Sequence, residues 1–280
     1  MRGKYLPKRR LEELDQLLSS RDKEILHSLR KCRYLITGQV GRLNFSDSTS
    51  PTSALRSANR VLQKLKDYGL VEFLERRIGG VRAGSGSYVW VLTESGKNLL
   101  HLGDTDYTPR KRLFEPSLNF LKHTLAVAEA YIQLSEICQR NHLELVKAEM
   151  EPSCWRPYEG ENGKPASMKP DMFAITDNGE YEDSWFIEVD MNTESPSIVL
   201  DKCRRYTYYR KTGVEQKQYE VFPLVVWVVY SESRKAKLQQ YIAGCHEMSE
   251  DSKCIFTVIM PNEFEKLICN GKGDFNDSIF

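Results

Sequence analysis

Apolar positions recur at helical spacing through the first third of the chain, and short, nearly unbroken apolar runs follow later. Ile25, Leu26 and Leu29 share one face of a helix predicted over about 23–32, with Asp22 as its N-cap. Thr37 is placed to cap a second, short helix, GQVGRLNF. After the turn-rich stretch SDSTSPT, Leu55, Val61, Leu62 and Leu65 outline a third helix from about Ser53 to Tyr68. Gly69 fits the left-handed position just past its end. LVEFLER and SYVWVLT are β-prone segments on either side of a basic, Gly-rich hairpin, RRIGGVRAGSG. Thr93 then caps another helix, ESGKNLLHL.

Three helices, a hairpin and a helix are the order of a winged helix-turn-helix, here residues 1–105. In that arrangement the third helix fits the major groove of double-stranded DNA and the wing reaches the backbone or the minor groove. Arg56, Asn59, Arg60 and Lys64 lie off the apolar stripe. Arginine bonds guanine bidentately and asparagine bonds adenine, whereas Lys64 suits a phosphate. Arg76, Arg77 and Arg82 of the wing are candidates for phosphate contacts. The alternative is a winged helix serving only as a protein–protein module, a reading that the basic face and basic wing disfavour.

A linker with turn and charge signals covers 106–116, and a long helix follows over about 117–140. Its predicted buried side carries Leu118, Leu121, Leu125, Ala128, Ile132 and Leu134. LELVKAEM, KPDMFAIT and WFIEVDMN then form strands, with a polar loop over 151–168 after the first. SPSIVLDKCRRYTYYRK is a helix with Ser195 as cap and Pro196 at its first position. PLVVWVVY has the continuous apolar character of a strand covered on both faces. A helix, KAKLQQYIAGCHEM, and a strand, CIFTVIM, complete an α/β body over 117–268, before a tail over 269–280 that reads as frayed.

Charge divides the chain in the same place. Residues 1–112 hold 22 Lys+Arg against 12 Asp+Glu, a balance of +10, and the remainder holds 18 against 27, a balance of −9. One half is therefore suited to a polyanion and the other to different work. Hydrophobic residues at 40% and charged residues at 28% fit packed domains. No apolar run approaches the ~18–20 residues that span a bilayer. The N-terminus lacks the apolar segment of a secretory signal. Seven cysteines without a C-x-x-C pair argue for reduced thiols, and so for a cytoplasmic protein without a zinc site.

The acidic half carries one constellation. Pro170-Asp171 opens a strand, and Glu188 and Asp190 share a face of the next. If the two strands pair as a hairpin, Asp171 joins them. Three carboxylates on one face need a cation or a basic partner, and hard oxygen ligands suit Mg2+ or Mn2+. The alternative is an acidic strand end bridged to Lys202, Arg204 or Arg205 of the neighbouring helix.

The succession helix, strand, PD, strand, E-x-acid, helix, strand resembles the PD-(D/E)xK restriction-endonuclease-like fold. Together with the winged helix, the stretch "KPDMFAI…WFIEVDMNTES…KCRRYTYYR" resembles the replication-relaxation family of plasmids and integrative elements of Gram-positive bacteria. The resemblance covers about residues 20–245. It implies a DNA-binding protein of replication control, DNA relaxation or mobilisation, with a relaxase or replication proteins of the same element as partners. It matches Asp171 and Glu188 to the metal-binding acids of the nuclease fold. Asp190 stands where an active nuclease has lysine, with Lys202 as a candidate substitute and Glu149 or Glu151 as a further acid. Three readings follow. In the first, the protein binds DNA, as a homodimer on an inverted repeat, and its nuclease-like body has weak or lost catalysis and docks partners or a second DNA segment. The second is a metal-dependent endonuclease or nickase, catalysed by Asp171, Glu188, Asp190 and Lys202. The third is a transcriptional repressor with a dimerising or sensing domain.

Overall fold

The computed structural model of the protein describes residues 6–75, 78, 86–102, 116–160, 163–246 and 248–270. The chain divides into two compact units, Met1–Ile132 and Gln133–Phe280.

The first unit opens with α1 (Lys8–Leu17), α2 (Ser20–Cys32), the short strand β1 (Leu35–Ile36), α3 (Thr37–Asn44) and α4 (Pro51–Asp67). Strands β2 (Val71–Phe73) and β3 (Val89–Leu92) and helix α5 (Glu94–Leu100) follow. The strands form one antiparallel sheet in the order β1-β3-β2; helix α1 and strand β1 add to the three helices, hairpin and helix expected from the sequence. Two details differ. Ser19, not Asp22, caps α2, and Asp22 is the N3 acid of a capping box whose carboxylate accepts from the Ser19 backbone N–H at 2.9 Å. Thr37 does not cap α3, because its hydroxyl accepts from the indole N–H of the fully buried Trp90 at 2.9 Å.

Helix α4 has Ser50 as N-cap, with Pro51 at its first position, and Gly69 at φ +75° ends it as expected. Its buried side is Ala54, Ala58, Leu62 and Leu65. Leu62 and Leu65 each contribute about 1.5–3 kcal/mol through that burial. Leu55, assigned to the stripe in the sequence, is instead exposed, since the buried face runs through Ala54 and Ala58. Gly96 is required for a different reason. A Cβ there would stand 2.1 Å from the Leu70 carbonyl oxygen, where the first turn of α5 meets the Gly69–Leu70 turn that leads into β2.

Helix α6 (Leu118–Arg140) contributes to both units. Leu121 and Leu125 pack with Leu74, Val89 and Val91. Gln39 donates to the Leu125 carbonyl at 3.1 Å, and Arg42 pairs with Glu129. Leu118, expected on the buried side, is exposed.

The second unit contains β4 (Glu144–Met150), the hairpin β5 (Arg156–Glu159) and β6 (Pro165–Met168), β7 (Met172–Asp177) and β8 (Glu182–Asp190). The hairpin replaces the polar loop expected over 151–168, held by Arg156, which bonds Glu215 at 3.1 Å and Glu149 at 3.2 Å. Then come α7 (Pro196–Thr212), α8 (Val214–Tyr219), β9 (Leu224–Val229), α9 (Glu232–Ala243), α10 (Glu250–Lys253), β10 (Phe256–Ile259) and α11 (Phe264–Asn270). Ser195 is at the N-cap of α7, but its hydroxyl meets Ser197 rather than the helix backbone. The five-stranded sheet has the order β10-β9-β8-β7-β4. β4, β7 and β8 are antiparallel, and β8, β9 and β10 are parallel. Every residue from Ser184 to Asp190 is buried, so both faces of β8 are covered. Among the described residues no helix is long and apolar enough to cross a membrane.

Candidate nucleic-acid interface and the buried acid cluster

Opposite the buried alanines and leucines of α4, Arg56, Asn59 and Arg60 are all exposed. Arg56 and Arg60 are four residues apart, one turn of helix, with Asn59 beside them. Exposed Leu55 borders the same face and offers an apolar contact that the sequence reading missed, because its spacing to Leu62 mimicked a core position. Lys64 is placed differently. Its ammonium bonds the Asp22 carboxylate at 2.6 Å, tying α4 to the start of α2. Burial pushes the Asp22 carboxyl up, but the Lys64 bond and the two Ser19 donors outweigh it and hold the group below its ordinary value. Arg76, Arg77 and Arg82 lie outside the described residues.

The acid cluster sits on the central strand of the second unit. Glu188 on β8 is fully buried. One of its oxygens takes the Lys202 ammonium of α7 at 2.5 Å and the other the Tyr206 hydroxyl at 2.5 Å. Burial raises the Glu188 carboxyl above its ordinary range, and the Lys202 charge opposes the rise. Burial likewise works against the Lys202 ammonium, but the carboxylates of Glu188 and Asp171 hold its proton more tightly than usual. Asp171, buried at the head of β7, accepts from the Val189 backbone N–H at 2.8 Å. Asp190, also buried, takes Arg234 Nε of α9 at 2.5 Å and the Asn192 backbone N–H at 2.8 Å.

The fold brings Asp171, Glu188 and Lys202 together and gives Asp190 its own cation. Arg234 carried no signal in the sequence, since it lies 44 residues away at the start of a helix. Arg204 pairs with Asp201 at 2.5 Å, and Arg205 is exposed, so neither bridges the cluster. Glu149 is held by Lys147 and Arg156, and Glu151 accepts from the Trp155 indole. These residues do not fit the Mg2+ or Mn2+ set drawn from the sequence. Both Glu188 oxygens are engaged, Lys202 and Arg234 already supply the positive charge, and the site is closed to solvent. Among the described residues no group of three or more His, Cys, Asp and Glu side chains is arranged to hold a metal.

The replication-relaxation family model matches residues 26–225. No curated protein matches the chain. A solved structure titled "structure of restriction endonuclease FokI bound to DNA" is similar at 12% identity and a TM-score of 0.27, over 93% of this chain and 46% of that one. This chain thus spans less than half the length of that protein, and the likeness is too slight to argue from.

Proposed function

The chain belongs to the replication-relaxation family, and on that premise we propose that it is a double-stranded DNA-binding protein of a plasmid or integrative element. The winged helix supplies the address, and the second unit is a nuclease-like body that has given up cleavage. The carrying observation is the exposed row Arg56, Asn59 and Arg60, backed by the buried side of α4. A helix so seated presents its donors to base edges in the major groove, and Leu55 beside them suits a thymine methyl. The protein acts in the cytoplasm, with a relaxase or replication proteins of its element as partners.

The test is a gel-shift titration of the intact chain on duplexes tiled across its own element. Arg56→Ala and Arg60→Ala each weaken the cognate complex by about 1–3 kcal/mol. No duplex affinity in the intact chain defeats the reading.

One observation favours a second reading, a metal-dependent endonuclease or nickase: Lys202 lies against Glu188 with Asp171 close by. It ranks behind the first because the cluster is buried and two of its three carboxylates are paired with the protein's own cations. Incubating supercoiled plasmid with protein and Mg2+ or Mn2+ decides between them. Nicking that disappears in Asp171→Ala and Glu188→Ala establishes the enzyme, and no nicking by the intact chain removes it.

A further inference from the structure

Helix α7 turns Lys202 and Tyr206 inward and a different set of side chains outward. With the β5–β6 hairpin it forms a groove of about 650 Å3 within the second unit, lined by Tyr158, Asp201, Arg204, Arg205 and Tyr208. The volume falls in the ~300–1,000 Å3 range of sites that hold groups the size of a nucleotide. Its floor is kept low by Gly160 and Ala166. A Cβ on Gly160 would stand 3.2 Å from the Lys164 carbonyl oxygen and 3.3 Å from the Ala166 methyl.

The lining has two chemistries. Tyr158 and Tyr208 form an aromatic pair, ring centroids 6.0 Å apart and tilted by 42°. The Tyr208 hydroxyl points at the Glu159 carbonyl, 3.5 Å away, which holds that ring at the hairpin. Arg204 and Arg205 add guanidinium groups, with Arg205 exposed. Asp201 pairs with Arg204, and both are open to solvent. A competing phosphate could therefore take the guanidinium from the carboxylate at little cost, since exposed ion pairs are weak.

Aromatic faces beside arginines suit bases that are unstacked and phosphates that follow one another along a strand. A duplex keeps its base faces covered and offers the tyrosines nothing. We propose that this groove binds a short stretch of unpaired DNA, one base against the Tyr158–Tyr208 pair and the adjoining phosphates at Arg204 and Arg205. This site does not depend on duplex binding by α4, and it gives the second unit a role that needs no cleavage.

The experiment is fluorescence anisotropy of a short labelled oligo-dT with the full chain and its variants, each checked for folding by thermal melting. Arg205→Glu is expected to weaken binding about tenfold or more, and Tyr208→Ala about tenfold, in line with the ~1–3 kcal/mol carried by one stacked base. Asp201→Asn, which removes the competing carboxylate, is expected to tighten binding several-fold. Lys211→Glu changes charge equally on an exposed part of α7 outside the groove lining and is expected to leave the affinity unchanged, as are Arg56→Ala and Arg60→Ala. The proposal is overturned if the intact chain does not bind oligo-dT. It also falls if Arg205→Glu and Asp201→Asn leave the affinity unchanged. An equal loss in Lys211→Glu or in the α4 variants overturns it too, as does dTMP or oligo-rU competing better than oligo-dT.

Discussion

Arg234 on α9 holds the buried carboxylate of Asp190 on β8, Nε to Oδ2 at 2.5 Å, and its Nη2 reaches the Glu194 carbonyl at 2.8 Å. The pair joins the end of the central strand to a helix far along the chain. In a buried pair of this kind desolvation offsets much of the attraction, but removing one partner strands the other.

Arg234→Ala is accordingly expected to cost about 3–5 kcal/mol, read as a lower urea midpoint for the second unit. Asp190→Asn combined with Arg234→Met is expected to recover most of that loss, because neither charge is then left alone. A double variant as unstable as Arg234→Ala would show that the ion pair is not what the site needs.

Asp22 sets an acid limit on the first unit. Its carboxyl lies below its ordinary value when folded, so it contributes stability above the unfolded value of about 4, and that contribution is lost as pH falls through the folded one. Asp22→Asn is expected to cost about 1–3 kcal/mol at neutral pH and to flatten the stability profile below about pH 4. Urea titrations at several pH values measure both effects.

Lys64→Ala separates stability from recognition. The lysine is bonded to Asp22, so its loss is expected to lower the melting temperature of the first unit while moderate-salt affinity for duplex changes less than in Arg60→Ala. A phosphate role for Lys64 would appear instead as a fall of about 1 in the slope of log affinity against log salt.

Gly96→Ala tests the close approach of α5 to the Gly69–Leu70 turn. With its Cβ placed 2.1 Å from the Leu70 oxygen, backbone must shift, and a loss of about 1–3 kcal/mol is expected, typical of overpacking. An unchanged melting temperature would contradict that close approach.

Local pattern in the sequence was enough for most elements. Leucine spacing, Gly69 and the Thr93 cap placed α2 to α5 of the first unit, because helical periodicity acts within a few residues, whereas the caps read at Asp22 and Thr37 were displaced by Ser19 and by the Trp90 indole. Leu55 and Leu118 were misassigned because a one-residue change in position turns a side chain from core to solvent. The β5–β6 hairpin went unseen because its two four-residue strands, RPYE and PASM, carry prolines and no β-branched residues, and what holds it is the Arg156 bond to Glu215, 59 residues distant.

By itself the sequence determined the basic first half, the exposed arginines of the third helix and the carboxylates at 171, 188 and 190. Only the tertiary structure decided which partners those carboxylates meet. Spacing along a strand shows which acids share a face. It does not show which helix covers that face, and so it left open a metal, Lys202 or another partner. Packing of α7 and α9 on the sheet brought Lys202 to Glu188 and Arg234 to Asp190, contacts set by residues 14 and 44 positions apart in the chain.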